Sequence, residues 1–160
     1  MNSNKLKRLA LCALMCAAVV MTTVFAAVPI PGVQGAYANA GDAAVYASAF
    51  LLGLPWGAAV AAVGSALADL LLGSALYAPA TFVIKGAMAL LAARLLKEGD
   101  MKGLKLLICG AVMAAGYFGF ECIIYGASTA LLSLPANGIQ AVLGAVMGSI
   151  VIRGIESLQK

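Results

Sequence analysis

Histidine is absent from this chain of 160 residues, charged residues make up only 10%, and tryptophan occurs once. The first absence removes the commonest general base from any enzymatic reading. It also leaves the four cysteines without the usual partner for a metal site. Cys12, Cys16, Cys109 and Cys122 lie inside apolar runs with no CxxC pair, so they read as small packing residues and no metal site is expected. No polar stretch is long enough for a catalytic, ATP-binding or nucleic-acid-binding domain, so soluble machinery would have to belong to a partner. What is abundant is apolar. Hydrophobic residues make up 64% of the chain and the mean hydropathy is +1.04, more than a soluble domain of this size can bury. The composition is that of an integral membrane protein.

Lys5, Lys7 and Arg8, followed by an apolar run and Ala36-Tyr37-Ala38, imitate a secretory signal with its cleavage site. Residues 9–28, however, form 20 consecutive uncharged positions. That is too long for a signal core and long enough to span a hydrocarbon layer of roughly 30 Å. The run is therefore expected to remain as a first membrane helix. Breakers divide the remainder at Pro29-Ile30-Pro31-Gly32, Gly53-Leu54-Pro55, residues 73–79, Lys97-Glu98-Gly99-Asp100 and Leu134-Pro135. Six apolar segments result, 9–28, 41–54, 56–72, 80–96, 104–125 and 136–153. The second is short unless its lead-in from Tyr37 is helical. The expectation is an all-α membrane protein with six transmembrane helices in one integral domain, residues 1–160. Even parity puts both termini on one side. Nine of the ten cations fall on that same side, at the two termini and around the fourth-to-fifth connection, which makes both termini cytoplasmic.

The tenth cation is Lys85. With Asp42, Asp69 and Glu121 it forms the set of ionisable groups at membrane depth, where each costs about 2.5 to 3.5 kcal/mol or more unless paired or solvated. All four fall in the outer third of the bilayer by their positions in the segments. Helical spacing puts Asp42 with Tyr46, Ser65 with Asp69, Thr81 with Lys85, and Tyr117 with Glu121 and Tyr125 on shared faces. Asn137 and Gln140 add a face on the sixth segment. Together with Gln34, Tyr37, Asn39 and Tyr77 in the loops above, these stripes describe a polar pocket opening outward. The inner halves carry no continuous polar path, which argues against a channel or a self-sufficient proton relay. Structural readings stand beside the functional one. Asp69 with Lys85 could be an ion pair pinning the third helix to the fourth, and Glu121 a protonated carboxyl bonding a neighbouring helix. Asp42 could favour a helix amino terminus, the tyrosines could be interface-belt residues, and Asn137 with Gln140 could be interhelical glue.

Small residues form the second pattern. Ala13 and Ala17, continued backward by Leu9, mark one face of the first segment, and Gly53 with Gly57, Ala62 with Ala66, and Gly144 with Gly148 repeat the spacing. Close helix contacts follow, within the chain or with a partner.

The runs Gly41-Asp42-Ala43-Ala44-Val45, Leu52-Gly53-Leu54-Pro55-Trp56-Gly57, Gly64-Ser65-Ala66-Leu67-Ala68-Asp69-Leu70-Leu71-Leu72-Gly73 and Tyr77-Ala78-Pro79-Ala80-Thr81-Phe82-Val83-Ile84-Lys85-Gly86 resemble the substrate-binding S components of energy-coupling factor (ECF) vitamin transporters. The resemblance implies an S-component-like bundle in a prokaryotic cell membrane that binds a water-soluble vitamin or precursor. It also implies docking, through small first-helix residues that Ala13 and Ala17 match and whose face Leu9 continues, onto a membrane coupling subunit with two ATPase subunits. ATP would be used by those partners, with no cofactor on this chain. The pocket charge, about −2 if Asp42, Asp69, Lys85 and Glu121 are all ionised, disfavours a polyanion and suits a neutral or cationic heteroaromatic: riboflavin, pyridoxine, thiamine or its hydroxymethylpyrimidine precursor. The alternatives are a stand-alone proton-coupled transporter using Glu121 and a structural membrane subunit without ligand.

Overall fold

The computed structural model describes residues 3–97 and 101–159, and among them the chain forms six α-helices. They are α1 (Ser3–Phe25), α2 (Asp42–Leu52), α3 (Trp56–Leu71), α4 (Ala78–Leu95), α5 (Lys102–Tyr125) and α6 (Ala127–Leu158). Two-residue strands, β1 (Val28–Pro29) and β2 (Tyr37–Ala38), pair antiparallel between α1 and α2. Helices α1, α4, α5 and α6 are long and apolar enough to cross a membrane, and α2 and α3 are shorter apolar helices. The architecture is an all-α membrane fold.

The lead-in from Tyr37 is extended rather than helical, so α2 keeps 11 residues, about 16 Å at 1.5 Å per residue. A helix too short to span is sheltered instead. Residues 42–49 are all buried, and α2 packs against α1, α3, α4 and α6. The β1–β2 ribbon is less sheltered, with β1 exposed and β2 half-buried against α6. Glycines on α6 let α2 approach. A Cβ at Gly144 would lie 2.8 Å from Asp42 Cβ, and one at Gly148 would lie 2.7 Å from Tyr46 Cδ2. The Gly144/Gly148 spacing therefore serves a contact within the chain. Tyr46, fully buried, donates its hydroxyl to the Leu106 carbonyl at 2.7 Å and ties α2 to α5. Around it Met88, Leu106, Cys109, Met113 and Ile152 fill the core, which accounts for one cysteine as a packing residue.

Three sequence expectations need correction. The first helix starts before residue 9 and ends before 28, because the chain turns into β1. The sixth starts at Ala127 rather than 136, and Leu134-Pro135 is no break: Pro135 lies inside α6. Proline removes one backbone donor, but membrane helices tolerate this when neighbours satisfy the freed group. The separation of α5 from α6 falls to Gly126 alone, at φ 85°, a conformation glycine adopts without steric cost. The third correction concerns Lys85, whose partner is described below. Part of the expected 97–100 break, residues 98–100, and Lys160 lie outside the described residues.

Leu11 and Cys12 of α1 share a cluster with Leu52 of α2 and Ile155 of α6, and Lys102 pairs with Glu156. The start of α1, the start of α5 and the end of α6 therefore lie at one end of the bundle. That end carries Lys5, Lys7, Arg8, Lys102, Lys105 and Arg153. The membrane-depth carboxylates occupy the other.

Candidate substrate-binding site

At the end away from the cations, Tyr37 and Asn39 from the ribbon and its exit, Asp69 from α3, Tyr77 and Thr81 from the start of α4, Tyr117 and Glu121 from α5, and Asn137 and Gln140 from α6 line one cavity. Ile30, Gly35 and Ala36 complete its wall from the loop side. Helical spacing explains the convergence: 77 and 81, 117 and 121, and 137 and 140 each share a face one turn apart. Asp69, Glu121, Asn137 and Gln140 are each at most 3% exposed.

The wall is knitted by hydrogen bonds. Tyr37 donates to Asp69 Oδ1, Tyr77 donates to Glu121 Oε1 at 3.1 Å, and Ser133 donates to Glu121 Oε2. Thr81 Oγ1 and Tyr117 Oη lie 3.0 Å apart. Burial, reinforced by the Asp69 carboxylate, pushes the Tyr37 phenol well above its ordinary range, so it stays protonated and acts as a donor. The Tyr77 ring meets Phe120 edge-on at 5.2 Å and Tyr117 at 6.4 Å between centroids, which gives the wall an aromatic lining.

Beneath the wall lies a second tier. Lys85 pairs with Asp42, not with Asp69, and both are almost fully buried, at 3% and 1% exposure. Gln140 Nε2 donates to Asp42 Oδ2 at 2.9 Å, and Gln140 Oε1 accepts the Asn39 backbone N–H at 3.0 Å, so one amide links the loop to the ion pair. The Lys85 ammonium also lies 5.8 Å from the Tyr117 ring centroid, a cation–π distance. Asp42 and Lys85 do not form part of the cavity lining. Nor do Gln34 and Tyr125: Gln34 is exposed, and its backbone carbonyl accepts the Tyr125 hydroxyl at 2.9 Å.

The enclosed space is about 20 Å³, room for roughly one water. A small-molecule pocket normally offers at least about 300 Å³, so the cavity in this conformation is smaller than such a pocket. Sequence reasoning missed Ser133, which it had left in a presumed break. The signal was present, since Ser133 sits four residues before Asn137 on the same face of a continuous helix.

With this geometry in place, comparison with known proteins is decisive. The model of the ECF-type riboflavin transporter S component matches residues 3–157. The chain belongs to this family. Among its relatives, a Pyrococcus woesei protein described as an uncharacterized protein in the gap 3′ region is 36% identical over 134 residues, covering 82% of this chain and 89% of the relative. The thiamine precursor transporter HmpT of Lactococcus lactis subsp. cremoris is 28% identical over 156 residues, covering 98% and 92%. An ECF S component is a transport component rather than an enzyme, and S components work with vitamin-like ligands and ECF modules in a membrane. On this S component Leu9, Ala13 and Ala17 are all exposed along one face of α1, while the opposite face, Met15, Val19 and Thr23, packs inward. Ala13 and Ala17 are thus left on the outside of the bundle, with Leu9 beside them, among the described residues.

Proposed function

We propose that this chain captures a water-soluble vitamin or vitamin precursor from outside the cell and delivers it inward with an ATP-driven coupling module. The observation that carries the reading is the closed, polar and aromatic cavity at the end of the bundle opposite the cations. By the positive-inside tendency the cationic end, with both termini, is cytoplasmic, so the cavity faces out. The membrane is the cell membrane of a prokaryote.

With its carboxylates ionised, the site has an anionic balance. The Asp42–Lys85 pair is internally neutral, which leaves Asp69 and Glu121 as the cavity carboxylates without an ion pair among the described residues. A polyanion such as folate is disfavoured there, whereas riboflavin, pyridoxine, thiamine or hydroxymethylpyrimidine suits it. The likeness to HmpT points the same way for the thiamine-precursor member of that group. On the membrane face, Leu9, Ala13 and Ala17 present a flat strip against which a transmembrane coupling subunit carrying two ATPases can pack closely.

The test is mass spectrometry of small molecules released from the detergent-purified chain, followed by titration of the compound found and by uptake in cells with and without the ATPase module. A stoichiometric vitamin with sub-micromolar affinity and ATPase-dependent uptake is expected. No released compound, no binding across a vitamin panel and uptake independent of ATP would overturn the proposal.

A further inference from the structure

Among the described residues, one buried side-chain oxygen has no hydrogen-bond partner: Asp69 Oδ2. Asp69 is 2% exposed and forms part of the cavity wall. Its other oxygen is taken by Tyr37. The cation at this depth, Lys85, is held by Asp42. Thr81 neighbours the carboxylate; its hydroxyl lies 3.0 Å from Tyr117 Oη, where either group can be the donor, and it makes no hydrogen bond to Asp69 Oδ2 within 3.5 Å. An acceptor desolvated this thoroughly and left unmatched is costly, and in native proteins such an atom needs a reason. Its position in the wall of a ligand cavity supplies one.

We infer that Asp69 is a specificity-determining contact and that Oδ2 accepts a hydrogen bond from an N–H group on the ligand's heteroaromatic ring system, either an amino substituent or a protonated ring nitrogen. This rests on the reading of the cavity as a vitamin site. The chemistry follows from charge. Among the described residues Asp69 and Glu121 both line the cavity without an ion pair, and Glu121 is already satisfied on both oxygens by Tyr77 and Ser133. The unmet demand is therefore concentrated on Asp69, where a donor bearing positive charge makes a bond roughly twice as strong as a neutral one. Asn137 lines the same cavity and offers a second polar contact there. A ligand presenting a carbonyl, carboxylate or phosphate at this point would set oxygen against oxygen and be rejected.

The experiment compares matched pairs that differ in the N–H donor alone, titrated against the purified wild-type chain. The pairs are hydroxymethylpyrimidine against its deamino analogue, thiamine against deaminothiamine, pyridoxine against the analogue with carbon in place of the ring nitrogen, and riboflavin against its imide-N-methyl derivative. Asp69→Asn, which retains an oxygen for Tyr37, is titrated with the same compounds. Whichever parent binds, its partner without the donor is expected to bind at least about tenfold more weakly, since a site built around a hydrogen bond discriminates strongly against an analogue lacking it. Asp69→Asn is expected to weaken the parent by at least about tenfold and to change the donor-free partner by less than about threefold. The wild-type comparison stands even if the variant does not fold. A parent that binds no better than its donor-free partner overturns the role of Asp69 and leaves the S-component reading intact. Binding of no compound, with no uptake of any, overturns that reading and this inference with it.

Discussion

Replacing Lys85 by methionine tests the lower tier of the site most directly. The side chain is nearly isosteric in length, so the change removes charge with little loss of packing. It strands the Asp42 carboxylate, 1% exposed, with Gln140 Nε2 as its side-chain donor and the amino terminus of α2 for electrostatic relief. Breaking a buried ion pair by removing one partner typically costs about 3 to 5 kcal/mol. For a chain of this size each kcal/mol moves the melting midpoint by about 2 to 4 °C, so the expected fall is roughly 6 to 20 °C. The assay is thermal unfolding in detergent at one fixed scan rate, since unfolding of such proteins is a rate-dependent observable. The partner is identified by two double-mutant cycles. Asp42→Asn combined with Lys85→Met should recover most of the loss, because a neutral amide still accepts the bond from Gln140 and no charge is stranded. Asp69→Asn combined with Lys85→Met should recover little. A fall below about 1 kcal/mol for Lys85→Met, or a larger coupling to Asp69 than to Asp42, would refute the pairing derived from the structure.

Two further outcomes are expected. Gly148→Leu drives a side chain into the Tyr46 ring, which a Cβ alone would approach to 2.7 Å; overpacking of this kind costs about 1 to 3 kcal/mol or more, and an unchanged melting midpoint would show that α2 and α6 do not meet there. Ala17→Leu on the exposed face of α1 should leave ligand affinity within about twofold of wild type while abolishing uptake, because added bulk blocks a close helix contact; normal uptake would move the docking surface to another face.

The membrane class, the number of helices and most of their positions were legible because a bilayer leaves the chain few options: every backbone group must be satisfied within a helix, and apolar runs of the right length declare themselves. That Asp69, Tyr117, Glu121 and Asn137 would turn inward was legible for the same reason, since polar groups in a membrane must face protein, and the four line one cavity. What stayed hidden was interhelical register. Spacing tells which residues share a face but not which faces meet, and the short third-to-fourth connection made Asp69 the expected partner of Lys85. The structure overturns that expectation through α2, whose burial among four neighbours brings Asp42 under the cavity. The start of α6 was hidden because Pro135 is a breaker in water and an ordinary helix residue when surrounded by protein. Gly126, with its positive φ, was the true stop and carried a weaker signal. Losing nine residues of α6 also lost Ser133, and with it the second donor to Glu121. Gln34 and Tyr125 were grouped with the cavity by their depth and loop position, while the structure has them bond to each other outside its lining.

The two-tier construction of the site has a consequence for redesign. The lower tier, the Asp42–Lys85 pair, secures α2 against α4 and stands outside the cavity lining, with Gln140 joining it to the wall, whereas Asp69, Tyr77, Glu121 and Asn137 belong to the lining. Foundation and recognition surface are thus separable. A library at the four upper positions leaves the Asp42–Lys85 pair untouched, and what it puts at stake is the wall's own hydrogen bonds, Tyr37 to Asp69 and Tyr77 to Glu121.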